Sequence, residues 1–135
     1  MANANELHST VLARLDSTGG VLTALHNALY AADEAGFHVQ HDEDRAVDLD
    51  NYLGRAMEAA DDTDPDPKLV CDRVESARRQ ATYFRTGLDD DVAAFELPEY
   101  VDSGVYDTLG EYARYVEQDI RVLMQYAEAW AHAAE

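Results

Sequence analysis

Apolar residues recur every three or four positions along most of this chain, the spacing of helices with one buried stripe. The pattern predicts four helices and no strand. The first runs from about Glu6 to Ala35, with Leu15, Thr18, Leu22, Leu25, Leu29 and Ala32 in phase and Leu7 and Val11 continuing the row upstream. Gly19-Gly20 interrupts it. Two interior glycines cost about 2 kcal/mol relative to alanine, so one kinked helix is expected, with two shorter helices as the alternative. Gly36 stands where a left-handed residue ends a helix. The second helix runs from about Glu43 to Ala60 on Ala46, Leu49, Leu53, Ala56, Met57 and Ala60. Asp42 or Asp44 is its expected cap.

The stretch DDTDPDP, residues 61 to 67, reads as a linker, with Asp66-Pro67 as cap and first residue of the third helix. Val70, Val74, Ala77, Ala81 and Phe84 carry that helix to Thr86, and Gly87 reads as its stop. Residues 88 to 102 form an acidic connection with room for one short helical turn, broken at Pro98. The fourth helix begins near Ser103 and runs almost to the C-terminus. Leu109, Ala113, Val116, Ile120, Leu123, Ala127, Trp130 and Ala134 step by four and three throughout. Four amphipathic helices with mostly short links imply an all-α fold: a four-helix antiparallel up-and-down bundle with a long C-terminal helix, one domain over residues 1–135.

Charge alters this picture more than any motif does. Among 135 residues, 28 acids face 10 Lys and Arg, a net −18. Lysine occurs once, at Lys68, and 17 Asp outnumber 11 Glu. Like charge of this density strains a compact chain at ordinary salt. At molar salt the Debye length falls to about 3 Å and the repulsion is screened. In composition the chain resembles a cytoplasmic protein of a salt-loving archaeon; the resemblance is to no family. A DNA mimic is the rival reading, disfavoured because the acids scatter over loops and outer helix faces instead of forming a phosphate-like ladder. Cys71 is the only cysteine, which fits a reducing cytoplasm. The opening MANANELHSTVLARLD lacks a basic segment followed by an apolar one, so no secretory leader is expected. No apolar run approaches the ~18 residues that span a bilayer, so no membrane is expected among the partners.

Signatures of catalysis are missing. The sequence has no Gly-x-x-x-x-Gly-Lys loop, no Gly-x-Gly-x-x-Gly and no Gly-x-Ser-x-Gly. His38 and His41 lie three apart before three acids, which invites a metal reading. Gly36 places them in a loop, however, where nothing fixes their geometry. None of the five histidines has Glu three positions before it, as a di-iron bundle requires. No metal, no cofactor and no enzymatic activity are expected.

Three constellations remain. Residues 68 to 87 carry five bases and two acids, and Arg73, Arg78 and Arg85 flank the apolar seam while Lys68 and Arg79 point outward. The three flanking arginines, Arg73, Arg78 and Arg85, read as partners for acids of neighbouring helices, and the basic face of Arg73, Arg78, Arg79 and Arg85 reads as a nucleic-acid surface only in the weaker alternative. On the fourth helix, Tyr112, Tyr115, Val122, Tyr126 and Trp130 widen the apolar arc to about 200°, against the roughly 100° expected of a surface helix. That edge reads as a subunit interface. Last, Asp119 among those tyrosines, and His26, Tyr30 and Asp33 along one edge of the first helix, form a polar minority that must be hydrogen-bonded if buried. They read as a structural network, or alternatively as a ligand or metal pocket.

The expected function is therefore a non-enzymatic interaction or adaptor protein of a salt-rich cytoplasm. It would act through the fourth-helix aromatic edge as a homodimer or on an unidentified protein partner. The alternatives are a small-ligand- or metal-binding bundle and a regulator that touches nucleic acid through the third-helix arginines.

Overall fold

The computed structural model describes residues 3–37, 39–94 and 104–135, with the helical backbone alone at 91–94 and 104–106. Four helices fill it: α1 (Ala4–Glu34), α2 (Gln40–Ala60), α3 (Pro67–Ala94) and α4 (Gly104–Ala133). Each packs on two neighbours, in the cyclic order α1, α2, α3, α4, and the diagonal pairs stand further apart, with no Cα atoms within 8 Å among the described residues. Links of five residues, 35–39, and six, 61–66, leave no room to cross the bundle, so consecutive helices run antiparallel. The start of α1 meets the end of α4, where His8 lies on Trp130 and Arg14 over Tyr126. The expected all-α bundle is the fold.

The apolar stripes form one core. Leu15, Leu22, Leu25 and Leu29 of α1, Leu49 of α2, Phe84 of α3 and Ile120 and Leu123 of α4 are fully buried. Thr18 shares this interior because its hydroxyl donates to the Arg14 carbonyl (2.8 Å), which satisfies it. Ala134, which continues the α4 period in sequence, lies beyond the helix and is exposed.

The helix ends differ instructively from the sequence expectation. Asn3 accepts from the Glu6 amide (2.9 Å) and starts α1 two residues early. α1 then runs through Gly19-Gly20 as one helix, not two. Its end is the expected one: Gly36 has φ +93°, its amide donates to the Asp33 carbonyl (3.0 Å), and the Phe37 amide donates to the Ala32 carbonyl (3.0 Å). At α2 neither Asp42 nor Asp44 is the cap. The helix begins at Gln40 behind Val39, whose side chain is buried in the core and draws the start upstream. Asp42 thus falls inside the first turn, 1% exposed and 3.6 Å from the Arg45 guanidinium. Asp66 does cap α3, accepting from the Lys68 amide (3.0 Å).

Gly87 is not a stop. α3 continues to Ala94 because Leu88 extends the buried seam one turn past Phe84. The missing side chain at Gly87 is used: the Arg45 guanidinium of α2 occupies the space a Cβ would need. The remainder of the predicted acidic connection, with Pro98, lies outside the described residues.

Candidate functional site

The aromatic edge of α4 turns toward α1. Trp130 is only 4% exposed, because the His8 ring stacks on it at 4.6 Å and 14°. The same imidazole donates through Nε2 to the Ala60 carbonyl (2.6 Å), one of the α2 carbonyls with no partner inside its helix. One side chain therefore closes the end of α2 and covers the tryptophan. Tyr126 is half-buried beneath Arg14, whose guanidinium lies 5.3 Å from the ring centre. Tyr112 and Val122 are half-buried, and Tyr115 is 56% exposed. The wide arc inferred from sequence is partly covered by the chain itself, and Tyr115, Val122 and Tyr126 form its open part.

The adjoining surface of α1 has an unusual composition. Residues 17 to 32, STGGVLTALHNALYAA, contain no Asp, Glu, Lys or Arg over more than four helical turns. Arg14, Ser17, Val21, Ala24, Ala28 and Ala31 step by three and four along the flank that Arg14 turns to α4. Ala28, Ala31 and Ala35 also line a notch of about 210 Å³ against Thr108 and Leu109 of α4. The α1–α4 face is thus mainly small or aromatic and uncharged, in a molecule of net charge −18.

The proposed polar group of four is divided. His26 and Tyr30 follow Thr23 along the flank of α1 that lines a groove with α2. Asp33 ends that row beside Glu43 of α2. Burial first, then the charges of Asp33 and Asp44, push the Glu43 carboxyl above its usual range. Asp119 stands half-buried on the α4 flank turned to α1. Among the described residues no hydrogen bond or ion pair joins the side chains of His26, Tyr30, Asp33 and Asp119.

The basic face is largely internal to the bundle's ion pairing. Glu75, on the same helix, takes Arg78 in two hydrogen bonds (2.7 and 2.8 Å) and Arg79 in a third (3.3 Å). Those bonds hold the Glu75 carboxyl below its usual range. Among the described residues Arg85 alone of the seam-flanking arginines reaches another helix, donating to Glu117 of α4 (2.8 Å) as well as to Asp89 of its own helix (3.2 Å). Arg73 makes no ion pair among the described residues. With α3 extended to Ala94, Asp89, Asp90 and Asp91 join Asp72 and Glu75, so five acids balance the five bases. The sequence reading ended the helix too early and so overstated its positive character.

Glu117 is the polar residue that reading missed. It is 6% exposed and takes both Arg85 and, at 3.1 Å, Arg121. Its i,i+4 spacing to Arg121 was visible, but its burial required knowing which flank of α4 meets α3. The Cys71 thiol is half-buried and raised above its ordinary value by burial, then by Glu128 and Asp72, the reverse of a reactive thiolate.

The His38–His41 pair cannot be placed as a pair, since His38 lies outside the described residues. Among those described, no three His, Cys, Asp or Glu side chains are grouped to hold a metal ion, and no helix is long and apolar enough to cross a membrane. No family model, curated protein or solved structure matches the chain.

Proposed function

We infer that the protein is a non-enzymatic interaction module of a salt-rich cytoplasm that associates through its α1–α4 face, with a second copy of itself as the first partner. The carrying observation is the sixteen-residue uncharged run of α1 beside Tyr115, Val122 and Tyr126 of α4. Each carboxylate buried in an interface loses hydration that only a well-placed partner restores. Two chains of −18 meeting by their α2 or α3 faces would bring many carboxylates together. Meeting by the α1–α4 face brings few.

From Thr10 to Ala35 the α1 row spans about 38 Å at 1.5 Å per residue. Two helices side by side are about 18 Å wide. The face then offers about 680 Å² per partner, inside the roughly 600 to 1,000 Å² of a standard interface. Molar salt strengthens burial of such a surface while screening the remaining charge.

Light scattering or sedimentation in molar KCl tests this. The expected mass is about twice the 15.0 kDa of one chain. Tyr115→Asp with Val122→Asp places charge on exposed and half-buried positions and should leave a folded monomer. Trp130 is unsuitable for such a test, since its substitution opens the core. A wild-type mass of one chain throughout the usable concentration range refutes the pairing.

A further inference from the structure

The α1–α4 face has a ridge beside a hollow. α4 supplies the ridge with Tyr115, Val122 and Tyr126, and α1 the hollow with Ser17, Ala24, Ala28 and Ala31. Two contacts set their register. Arg14 lies over Tyr126, and Thr108 shares the notch of about 210 Å³ with Ala28 and Ala31. Antiparallel helices rise equally per residue. Tyr115 therefore stands level with Ala24 and Ala28, and Val122 with Ser17 and Val21.

Such a surface meets its own copy in one of two ways while the helices stay aligned. A twofold axis across the helices sets ridge on ridge and hollow on hollow, which leaves the alanines uncovered. An axis along the helices sets each ridge in the other copy's hollow, at unchanged height. Interface cores pack as densely as protein interiors, and only the second arrangement fills the hollow. We propose that two copies pair about an axis parallel to their helices, α4 of each against α1 of the other, with the Tyr115 ring seated on Ala24 and Ala28 of the partner subunit. This packing rests on the self-association inferred above. It covers a ring that is 56% exposed in the single chain, and the notch beside Ala28 admits its edge. It also gives Arg14 a second ring. Arg14 has no carboxylate partner among the described residues and already covers Tyr126 of its own chain. The same axis brings Tyr126 of the partner subunit to the guanidinium at the same level, so the charge is stacked between rings instead of stranded.

Single cysteines test the arrangement in molar KCl, in a chain whose Cys71, on α3, is replaced by alanine. Ser17→Cys and Val122→Cys are close in size to the residues they replace and leave Tyr115 in place. Mixed one to one under mild oxidation, after subunit exchange, the two chains should form a covalent dimer, because the axis along the helices brings their sulfurs within disulfide reach. Either chain alone should link poorly. Tyr115→Ala should raise the dissociation constant of the dimer about thirtyfold, and Tyr115→Phe less than about threefold, since the ring and not the hydroxyl fills the seat. A mixture that links no better than either chain alone, or a neutral Tyr115→Ala, overturns the packing even where the mass doubles. A wild type of single-chain mass fails earlier, at the self-association itself.

Discussion

Replacing Gly54 by alanine adds a methyl group to α2 where an ideal Cβ meets no heavy atom within 4 Å. The helical backbone there is one that alanine adopts without strain, so the gain is the propensity difference, about 0.9 kcal/mol. Much of it arises in the unfolded chain, which has fewer conformations to lose once the glycine is gone. Unfolding entropy of about 2.1 cal/mol/K per residue gives about 0.28 kcal/mol/K for a chain of this length, so the midpoint should rise about 3 °C. Gly19→Ala and Gly20→Ala should each do the same, and the three together should give about 2 to 3 kcal/mol, allowing for coupling between neighbours. Two other glycines must behave oppositely. Gly36 holds φ +93° at the end of α1, and alanine there should cost about 1 kcal/mol. Alanine at Gly87 would strike the Arg45 guanidinium. Arg45 would then swing away from the buried Asp42 carboxylate, and the loss should outweigh the propensity gain by about 1 kcal/mol. Thermal and urea unfolding by circular dichroism, all at one molar KCl concentration, read each change. A midpoint lowered by Gly54→Ala would mean that its space is occupied by something in the folded chain. A neutral Gly36→Ala would show that the left-handed end is not fixed in solution.

The ion pairs make two further tests. Glu117→Gln removes the charge between Arg85 and Arg121 in the α3–α4 seam; Arg85 keeps Asp89, so the loss should be about 2 kcal/mol, and a change under about 0.5 kcal/mol would mean the pair is solvated. Glu43 and Glu75 should titrate with opposite signs. Glu75 is held low by Arg78 and Arg79, so its contribution is present above the ordinary carboxyl range and is lost as pH falls through its lowered value. Glu43 is pushed up by burial and by Asp33 and Asp44, and its Oε1 is buried with no hydrogen-bond partner among the described residues. The folded chain therefore holds that proton more tightly, and the ionised group opposes folding above its raised value. At neutral pH, Glu43→Gln should raise the midpoint and Glu75→Gln should lower it. Both differences should shrink as pH falls through the acid range, and equal signs at neutral pH would contradict the assignment.

Period and punctuation made the bundle legible. The rows from Leu7 to Ala32 and from Leu109 to Trp130 are buried as their spacing requires, and Gly36 and Asp66-Pro67 act at the ends they were expected to mark. The misreadings at helix ends share one cause, tertiary contact overriding a local signal. Gly87 looks like a terminator until the Arg45 side chain is seen to need its empty space. Asp42 looks like a cap until Val39, one turn before, is found in the core.

The α4 edge shows a different limit. A count of apolar positions on one helix says how wide its stripe is, but not what covers it. Trp130 is hidden by His8, a polar residue 122 positions away in sequence, and Tyr126 is half-hidden under Arg14, a charged one. Both covers use the flat or aliphatic parts of side chains that a hydropathy pattern scores as solvent-facing. The complementary signal lay in α1, in what it lacks. Asp, Glu, Lys and Arg make up 28% of the chain, yet sixteen consecutive residues there carry none, and that run does not follow from helix formation, which Arg, Lys and Glu serve nearly as well as alanine and far better than the two glycines it contains. α1 buries only one row of it. The flank toward α4 is the one that the inferred self-association covers. Introducing Glu at Ala24, half-buried on that flank, should therefore abolish mass doubling in molar KCl while the helical circular dichroism stays intact, and a variant that still doubled its mass would refute the assignment.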